Sequence, residues 1–594
     1  RLLLAPLAFS APSVAEMPFP LPGEVSDKLS QLSLKASQWH GLSNAERASV
    51  ARACKAQLAT LDMRWTADAA RCLGIEPTHP DHYNTPGFEG FIFLSTVGDR
   101  LERIADVLEG KVAVGKGSAK LDRKLPKHNM SIYKLGDVSS NGAPGVALEL
   151  WTDDAATPLT TPPTSVSSAG VGLVLGAGNQ SFLSAVDVLD LAFAHKKTVF
   201  LKHHPLRPFL APVYEHIFAP LAASGAFAQC FDTDLGDGHR QLLSHTSISH
   251  VHMTGSDTTH NKVLSALRAS GREKSVLFTS ELGCVTPWIV CPGVANGGVW
   301  SERDIENHAV NLANAFKANC SMNCLSPKVV VLPSEEVWPQ RPRFLEVLRR
   351  WLAEMPQLPP YYPGAHARFA AFEQHYPDAE RIEAPPAQLP GKGLARAAYP
   401  GLGQDISPLP SLLVDVGTLG STSCRRYAVQ NEAFAPVLAI ATVDCAEAKD
   451  FPLAAVGAVN EHVLGTLSCT LVYPDKRDDQ LDEVVCQLKY GCVAVNSWSA
   501  FSYGNPLGVW GAAPGSYTRD KPQSGLGFVG NVVGLENPRK AVNFSPFFNT
   551  GIVNKKPAPA VVMDVLQVVA SGKSFALFRI VGLLISRACC APRC

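Results

Sequence analysis

A cysteine, a glutamate and two glycine-bearing turns are where this sequence could do chemistry. Cys324 lies in Asn319-Cys-Ser-Met-Asn-Cys-Leu-Ser-Pro327, between a helix-forming stretch and an apolar run. A thiol in such a loop is a nucleophile where its neighbours favour the thiolate, and an inert buried group where they do not. Glu281 closes an apolar strand in Ser280-Glu-Leu-Gly-Cys-Val-Thr-Pro287. Open α/β sheets build ligand crevices at that end of a strand, although a structural or surface carboxylate would read the same way. Val174-Leu-Gly-Ala-Gly-Asn-Gln-Ser181 follows a strand and opens a helix. It has two glycines of a dinucleotide fingerprint, but Ser181 stands at the third and Lys202, not an acid, follows the next strand. The pattern alone therefore leaves a nucleotide-binding turn and an ordinary tight turn open. His252-Met-Thr-Gly-Ser-Asp257 again runs from strand into helix. Free amides there suit a pyrophosphate, and Ser256 or Asp257 suits an N-cap. His250 and His252 share a strand face, but no cysteine or carboxylate motif joins them, so satisfied histidines are expected and no metal site.

These groups need elements to hold them. From Gly170 onward, apolar strands at 171–175, 198–201, 248–253 and 276–279 alternate with helices at 182–195, 209–224 and 262–270. Continuous apolar strands between helices predict a parallel, doubly wound sheet. A second alternation has helices at 305–319, 342–354 and 480–488, with strands at 328–332, 437–443, 466–472 and 492–496, so two α/β units are expected. Ahead of them 25–73 reads as helical, with a Ser43/Glu46 capping box before 47–61, and 91–108 as a second long helix. Strand-like pieces at 130–133 and 145–150 flank a Gly/Asn/Ser turn. Residues 355–410 are rich in Pro, Gly and Ala and are expected to be an insertion or lining loop.

The 594 residues are 46% hydrophobic and 18% charged, ordinary globular composition at a length that suits two or more domains. Lys+Arg and Asp+Glu are both 53, so no net charge draws the chain to nucleic acid or an anionic membrane. A small-molecule substrate fits better than a polyanion. Fifteen cysteines without CxxC pairs or zinc spacing read as the reduced thiols of a large intracellular enzyme. Residues 1–16 look like the remnant of a targeting leader, its destination unreadable, or like a tail. No run of about 18 or more uncharged apolar residues occurs. The apolar stretch 561–586 is broken by Asp564, Lys573 and Arg579, which favours a docked helix over membrane contact.

Taken together, the motifs resemble the aldehyde dehydrogenase superfamily, over about Trp39 to Phe547. The resemblance is carried by Gly-Ala-Gly-Asn179, Phe-Leu-Lys202, Thr-Gly-Ser256, Glu281-Leu-Gly, Asn319-x-x-x-x-Cys324-x-x-Pro327 and Glu432-Ala-Phe-Ala-Pro436. Gly491-x-Val-x-Val-Asn496 and Gly525-Leu-Gly527 add weaker support. It implies an α/β fold, with a Rossmann-type NAD(P)-binding domain from 17–126 and 153–280 and an α/β catalytic domain at 281–505. A small oligomerisation sheet would come from 127–152 and 530–548, with a C-terminal extension at 549–594 and a homodimer or homotetramer.

The resemblance also implies roles. Cys324 would be the nucleophile, forming a thiohemiacetal and then a thioester; Asn179 would hold the oxyanion; Glu281 would activate the hydrolytic water. For NAD or NADP, Lys202 would reach the adenosine ribose, Gly255 and Ser256 the pyrophosphate, Glu432 the nicotinamide ribose, and Phe434 would lie beside it. The expected substrate is an aldehyde, with Trp498 and Phe501 hinting at an apolar one. Several positions depart from the family pattern. The usual Gly-Gln before the nucleophile is Ser321-Met322, Glu-Leu-Gly-Gly has become Glu281-Leu-Gly-Cys284, and Phe-Gly-Pro reads Phe434-Ala-Pro436. A Gly/Asn-rich insert lies around 292–300. Pro205 stands where many NAD-preferring members carry an acid, which removes a repulsion against a 2′-phosphate. His203 and His204, read as surface residues, could assist that phosphate. The competing readings are a CoA-acylating dehydrogenase, which does not need Glu281, and a catalytically silent relative kept as a structural or binding protein.

Overall fold

The computed structural model describes residues 22–73, 86–111, 113–114, 117–135, 146–154, 168–231, 242–385, 406–531 and 534–547. The leader, the turn at 136–145 and the C-terminal extension lie outside them.

Helices Pro22–Gly41, Asn44–Leu58 and Trp65–Cys72 cover the expected helical stretch, and Pro86–Leu108 the second one. The Ser43/Glu46 capping box is formed: Ser43 Oγ accepts from Glu46 N at 3.2 Å while Glu46 Oε2 accepts from Ser43 N at 2.7 Å. Behind it, Ala48, Ala51, Cys54 and Leu58 bury one helical stripe.

Two sheets meet end to end. The six-stranded sheet runs Gly525–Leu526, Leu277–Glu281, Ile248–Thr254, Val171–Leu175, Thr198–Lys202, Phe227–Cys230. All pairings are parallel except that of Gly525–Leu526 with Leu277–Glu281. The chain starts at Val171–Leu175, winds one way to Phe227–Cys230 and then resumes on the other side at Ile248–Thr254. The strand order thus reverses between Val171–Leu175 and Ile248–Thr254, where such sheets open a crevice at their carboxyl ends. Every residue of Val171–Leu175 and Thr198–Lys202 is buried, as strands covered on both faces require.

The twelve-stranded sheet has a parallel centre: Cys492–Val495, Ser468–Val472, Pro287–Val290, Val329–Pro333, Val437–Val443, Ser411–Thr418. Strands Met130–Leu135, Ala147–Asp153 and Pro538–Phe544, expected as oligomerisation strands, continue this sheet. Pro538–Phe544 pairs with Cys492–Val495 of the same chain.

Some elements differ from expectation. The helix at 182–195 is Leu183–Leu189 followed by a π turn, Asp190–Ala194; such turns insert one extra residue and are common at functional sites. The insertion at 355–410 contains a helix, Ala365–His375, seated through Phe369 and Phe372, and a short strand, Glu380–Ile382. Pro287–Val290, one of the central strands, falls just before the glycine-rich insert and is only four residues long, too short for a periodic signal. Helix Phe451–His462 escaped notice because apolar residues are spread around it rather than along one stripe.

Candidate active site

Glu281 ends a strand of the six-stranded sheet, and Leu282–Thr286 leads directly into the first parallel strand of the other. The Cys324 turn lies at the amino end of Val329–Pro333, so the two sheets bring both groups together: Cys324 Sγ donates to Glu281 Oε1 at 3.0 Å. The strand end is braced from two sides. Gly255 N donates to Glu281 O at 3.0 Å, and Leu282 N to Ser524 O at 2.8 Å. Gly525 pairs with Glu281 at φ 127°, where a Cβ would lie 2.0 Å from Ser280 O. Only glycine lets that segment pair so closely with the backbone of the strand end.

Burial pushes the Glu281 carboxyl up to about 7, against partial relief from Cys324, Trp510 and His252. Burial also raises the Cys324 thiol, and the negative fields of Glu281 and Glu432 raise it further. The resting pair is a thiol hydrogen-bonded to a carboxylate whose ionisation is poised near neutrality.

The turn before Cys324 is strained. Asn319, Cys320 and Ser321 have φ 53°, 53° and 58°, three consecutive left-handed residues without a glycine. Each costs about 1–2 kcal/mol, least for asparagine. Buried polar groups hold the turn. Lys328 Nζ donates to Ser321 O and, at 3.0 Å, to Ser321 Oγ. Gln357 Nε2 meets Cys320 Sγ at 3.1 Å, and Lys317 Nζ donates to Gln357 Oε1 at 2.8 Å. Asn319 Nδ2 donates to Asn179 O at 3.0 Å, and Asn319 Oδ1 accepts from Tyr361 OH at 3.0 Å. Thr286 Oγ1 pins Cys324 O at 2.7 Å, and Trp498 Nε1 pins Leu325 O at 2.9 Å. The departure from Gly-Gln thereby has a structural partner: the Ser321 hydroxyl is used by Lys328, whose own pKa burial lowers to about 8.

Asn179 reaches this turn by donating from Nδ2 to Met322 O at 3.2 Å. Its loop is clamped by the buried Arg207, which donates to Gly178 O at 2.8 Å, Asn179 O at 2.7 Å and Ser181 Oγ at 3.2 Å. Arg207, Tyr361, Lys328 and Trp510 were not foreseen; no local pattern marks them.

Glu432 sits against the backbone of Gly283, where a Cβ would come within 2.0 Å of Oε2, which explains the glycine of Glu281-Leu-Gly. Its Oε1 is buried with no hydrogen-bond partner among the described residues. Burial raises the carboxyl, and Lys328 offsets part of that. Phe434 has φ 43°, its carbonyl held by Arg368 Nη2 at 3.2 Å. Lys202 is buried at the carboxyl end of its strand, and its carbonyl accepts from Gly176 N at 2.9 Å. Gly255 and Ser256 follow Ile248–Thr254, and Ser256 caps Asp257–Ala269 by accepting from Thr259 N. Thus Cys324, Glu281, Asn179, Glu432 and Phe434 gather where the sheets meet, while Lys202, Gly255 and Ser256 lie at strand ends flanking the switch point.

One expectation is corrected. His203 and His204 are not surface residues. His203 pairs with Gln229 Oε1 at 2.8 Å, and the His204 ring packs on Gly178 and Tyr362. Burial and the neighbouring Lys202 lower them to about 4 and about 3, so both are neutral near pH 7 and offer no charge to a phosphate. His250 Nε2 and His252 Nδ1 each lie 2.9 Å from Thr279 Oγ1, while His250 Nδ1 and His252 Nε2 are buried with no hydrogen-bond partner among the described residues. Among the described residues no group of three His, Cys, Asp or Glu side chains is placed to hold a metal ion.

The sequence profile of the aldehyde dehydrogenase family matches residues 157–526, more than half of the chain and every candidate site residue. No curated protein sequence matches. Among solved structures, γ-glutamyl-γ-aminobutyraldehyde dehydrogenase from Burkholderia cenocepacia J2315 superposes with a TM-score of 0.57 at 16% identity, over 88% of each chain. A lactaldehyde dehydrogenase gives 0.57 at 15%, over 89% of this chain and 92% of its own. A mutant of aldehyde dehydrogenase C from Pseudomonas syringae, in complex with NAD+ and octanal, gives 0.55 at 17%, over 89% of each. At these identities the likeness is one of fold. With the profile match covering the six-stranded sheet, the parallel centre of the other and the cleft between them, the chain belongs to the aldehyde dehydrogenase family, oxidoreductases that act on aldehydes.

Proposed function

We propose that the protein oxidises an apolar aldehyde to its carboxylic acid with NAD+ or NADP+, by covalent catalysis at Cys324. The observation that carries this reading is the 3.0 Å contact between the Cys324 thiol and a buried Glu281 carboxyl that titrates near 7.

The Glu281 carboxylate takes the thiol proton as sulfur attacks the aldehyde carbon, giving a thiohemiacetal on Cys324. The Asn179 amide, which donates one N–H to Met322 O, has a second for the developing oxyanion; one such donor is worth about 3–4 kcal/mol. The nicotinamide, when bound, supplies the acceptor for the two electrons and the hydrogen that leave this carbon. Its fit to the site is supported by the unpartnered Oε1 of Glu432, an acceptor for a ribose hydroxyl. Phe434 would lie beside the ring, Lys202 at the adenosine ribose, and Gly255 and Ser256 at the pyrophosphate, where a helix begins. Glu281 gives up the thiol proton to solvent, then accepts the proton of a water whose oxygen bonds to the thioester carbon; the carbon–sulfur bond breaks, and the acid leaves Cys324 as thiolate.

Pro205 contributes no repelling carboxylate, and the neutral His203 and His204 contribute no attracting charge, so the site discriminates weakly against a 2′-phosphate. Trp498, held on the Cys324 turn, and the half-buried Phe501 favour an apolar substrate. The homodimer or homotetramer is part of the proposal, tested by sedimentation of the purified chain.

The test is absorbance of reduced cofactor with aliphatic and aromatic aldehydes, NAD+ and NADP+ in turn, for the wild type and Cys324→Ser. Reduction that vanishes in the variant is expected. Reduction only when CoA is added would replace hydrolysis by acyl transfer. No reduction under any condition would overturn the reading.

A further inference from the structure

Behind Glu281 the six-stranded sheet carries more buried titratable groups than packing alone needs. In register, Thr254 stands opposite Glu281 and His252 opposite Thr279. Residues two apart share a sheet face, so His252 and Glu281 are diagonal neighbours on one face, within the reach of long side chains or one bridging water. His252 is buried, 2.9 Å from Thr279 Oγ1 through Nδ1, and its Nε2 lies 3.3 Å from Asp187 Oδ1 on helix Leu183–Leu189. Asp187 is also buried, and its Oδ2 has no hydrogen-bond partner among the described residues; nor has Thr254 Oγ1, beside Glu281. Thr279 joins His252 to His250, whose ring meets the edge of His195, itself 3.4 Å from Asp190. Asp190 and Arg100 line a cleft. An apolar lining would be simpler to bury, since each uncompensated polar group loses its hydration without a replacement partner.

We propose that the buried His252–Asp187 pair is the charge partner of Glu281: the imidazolium favours the ionised carboxylate and the aspartate opposes it, so that together they set when Glu281 can act as a base. The inference rests on the reading of Cys324 and Glu281 given above. In thioester hydrolysis water loses a proton to Glu281 as its oxygen bonds to the acyl carbon and the carbon–sulfur bond breaks. That proton then leaves Glu281 for solvent, and the His252 imidazolium, stabilised by Asp187, favours the return of Glu281 to carboxylate. The direction of the fields agrees. Asp187, with Asp190 and Glu281, raises the His252 imidazole against the effect of burial, and His252 lowers Glu281. The other titratable or charged groups facing this space are Arg100, Asp190, His250, Cys324 and Tyr503. They are unchanged in the variants below, so shifts there report the pair.

The pair makes two opposite predictions. His252→Gln removes a cation near Glu281, so the base limb of deacylation moves up by about one pH unit. Asp187→Asn removes an anion, so the limb moves down. Acylation and deacylation are separated with p-nitrophenyl acetate, an activated ester that acylates the thiol without cofactor. The burst of nitrophenolate reports acylation, and the steady state reports hydrolysis. Intact bursts with limbs displaced in opposite directions are expected. Asp187→Asn is nearly isosteric and preserves the test if His252→Gln fails to fold. Intact bursts with unmoved limbs would reduce the pair to a structural role and overturn the proposal alone. No burst in the wild type would remove the reading of Cys324, and the pair with it.

Discussion

Cys324 stands behind three consecutive left-handed residues cross-braced by lysine, glutamine, asparagine and tyrosine, whereas Glu281 ends a regular parallel strand with ordinary backbone. Both lie in the same cleft and touch at 3.0 Å. The thiol is placed by stored backbone strain, and any group that stabilises the turn also sets where sulfur points. The carboxylate is placed by strand register, which is hard to disturb, and its environment adjusts its proton affinity instead. Damage to the first region should lower stability and rate at every pH. Damage to the second should move a pH limb.

The largest effect sharpens that division. Glu281→Gln should lower steady-state turnover by about 10²–10⁴-fold and slow the acylation burst with it, because the thiol and the water lose the same base. The limb near pH 7 should vanish with it. Stability should move the other way. The Glu281 carboxyl, raised to about 7 from an ordinary 4.5, holds a proton in the fold that the unfolded chain has lost. The associated stability is present below pH 4.5 and is lost as pH rises through 7. Above pH 7 the buried charge costs on the order of 3 kcal/mol, which glutamine does not carry. Urea unfolding at pH 8 and pH 4.5 checks the sign: the variant should gain on the wild type at the higher pH only. Next, Asn179→Ala should cost about 10²–10³ in kcat with the limb unmoved, measured on the same aldehyde panel.

The contrast also explains what the sequence could display. Strand ends are legible, since an apolar run closed by Glu281 and followed by Gly announces both the element and the exposed end. Glycines forced by close approach, Gly283 under Glu432 and Gly525 over Ser280, appear as letters in motifs even before the contact is known. The Cys324 turn was legible only as a departure. Ser321 broke the family pattern, but nothing local says that Lys328, seven residues on, would use its hydroxyl and carbonyl. Arg207 and Tyr361 were invisible for a stronger reason: they meet across 154 residues, and each is an ordinary side chain until the chain has folded. His252 reads from its strand as a satisfied histidine, but only its Nδ1 finds a hydrogen-bond partner, and the helix that brings Asp187 to it has no sequence link to the strand.

Lys328→Met tests the strain argument at intermediate size. It keeps the length and apolar stem but leaves Ser321 O and Oγ without their donor, a loss of about 1–3 kcal/mol for buried acceptors. Chemical denaturation should show that loss, and kcat should fall at all pH values together. A displaced base limb instead would mean that the charge of Lys328 reaches Glu281 as well as Glu432, and the division between the two regions would break.

The smallest effect is the most discriminating, because it compares equal losses in different places. Tyr361→Phe removes a hydroxyl whose one proton is shared between Asn179 O and Asn319 Oδ1, both at 3.0 Å, and which accepts from Arg207 Nη2 at 3.2 Å, while the ring stays in its apolar seat. Ser43→Ala removes the N-cap of a helix remote from the site. Each should cost about 1 kcal/mol of stability. If strain in the Cys324 turn positions sulfur, only the tyrosine variant should also lose kcat, by a few-fold, since Asn179 and Asn319 both lean on that hydroxyl. Equal kinetics in the two variants would mean that the turn holds its shape without the brace. The three left-handed residues would then be a relaxed feature of the fold rather than a strained one.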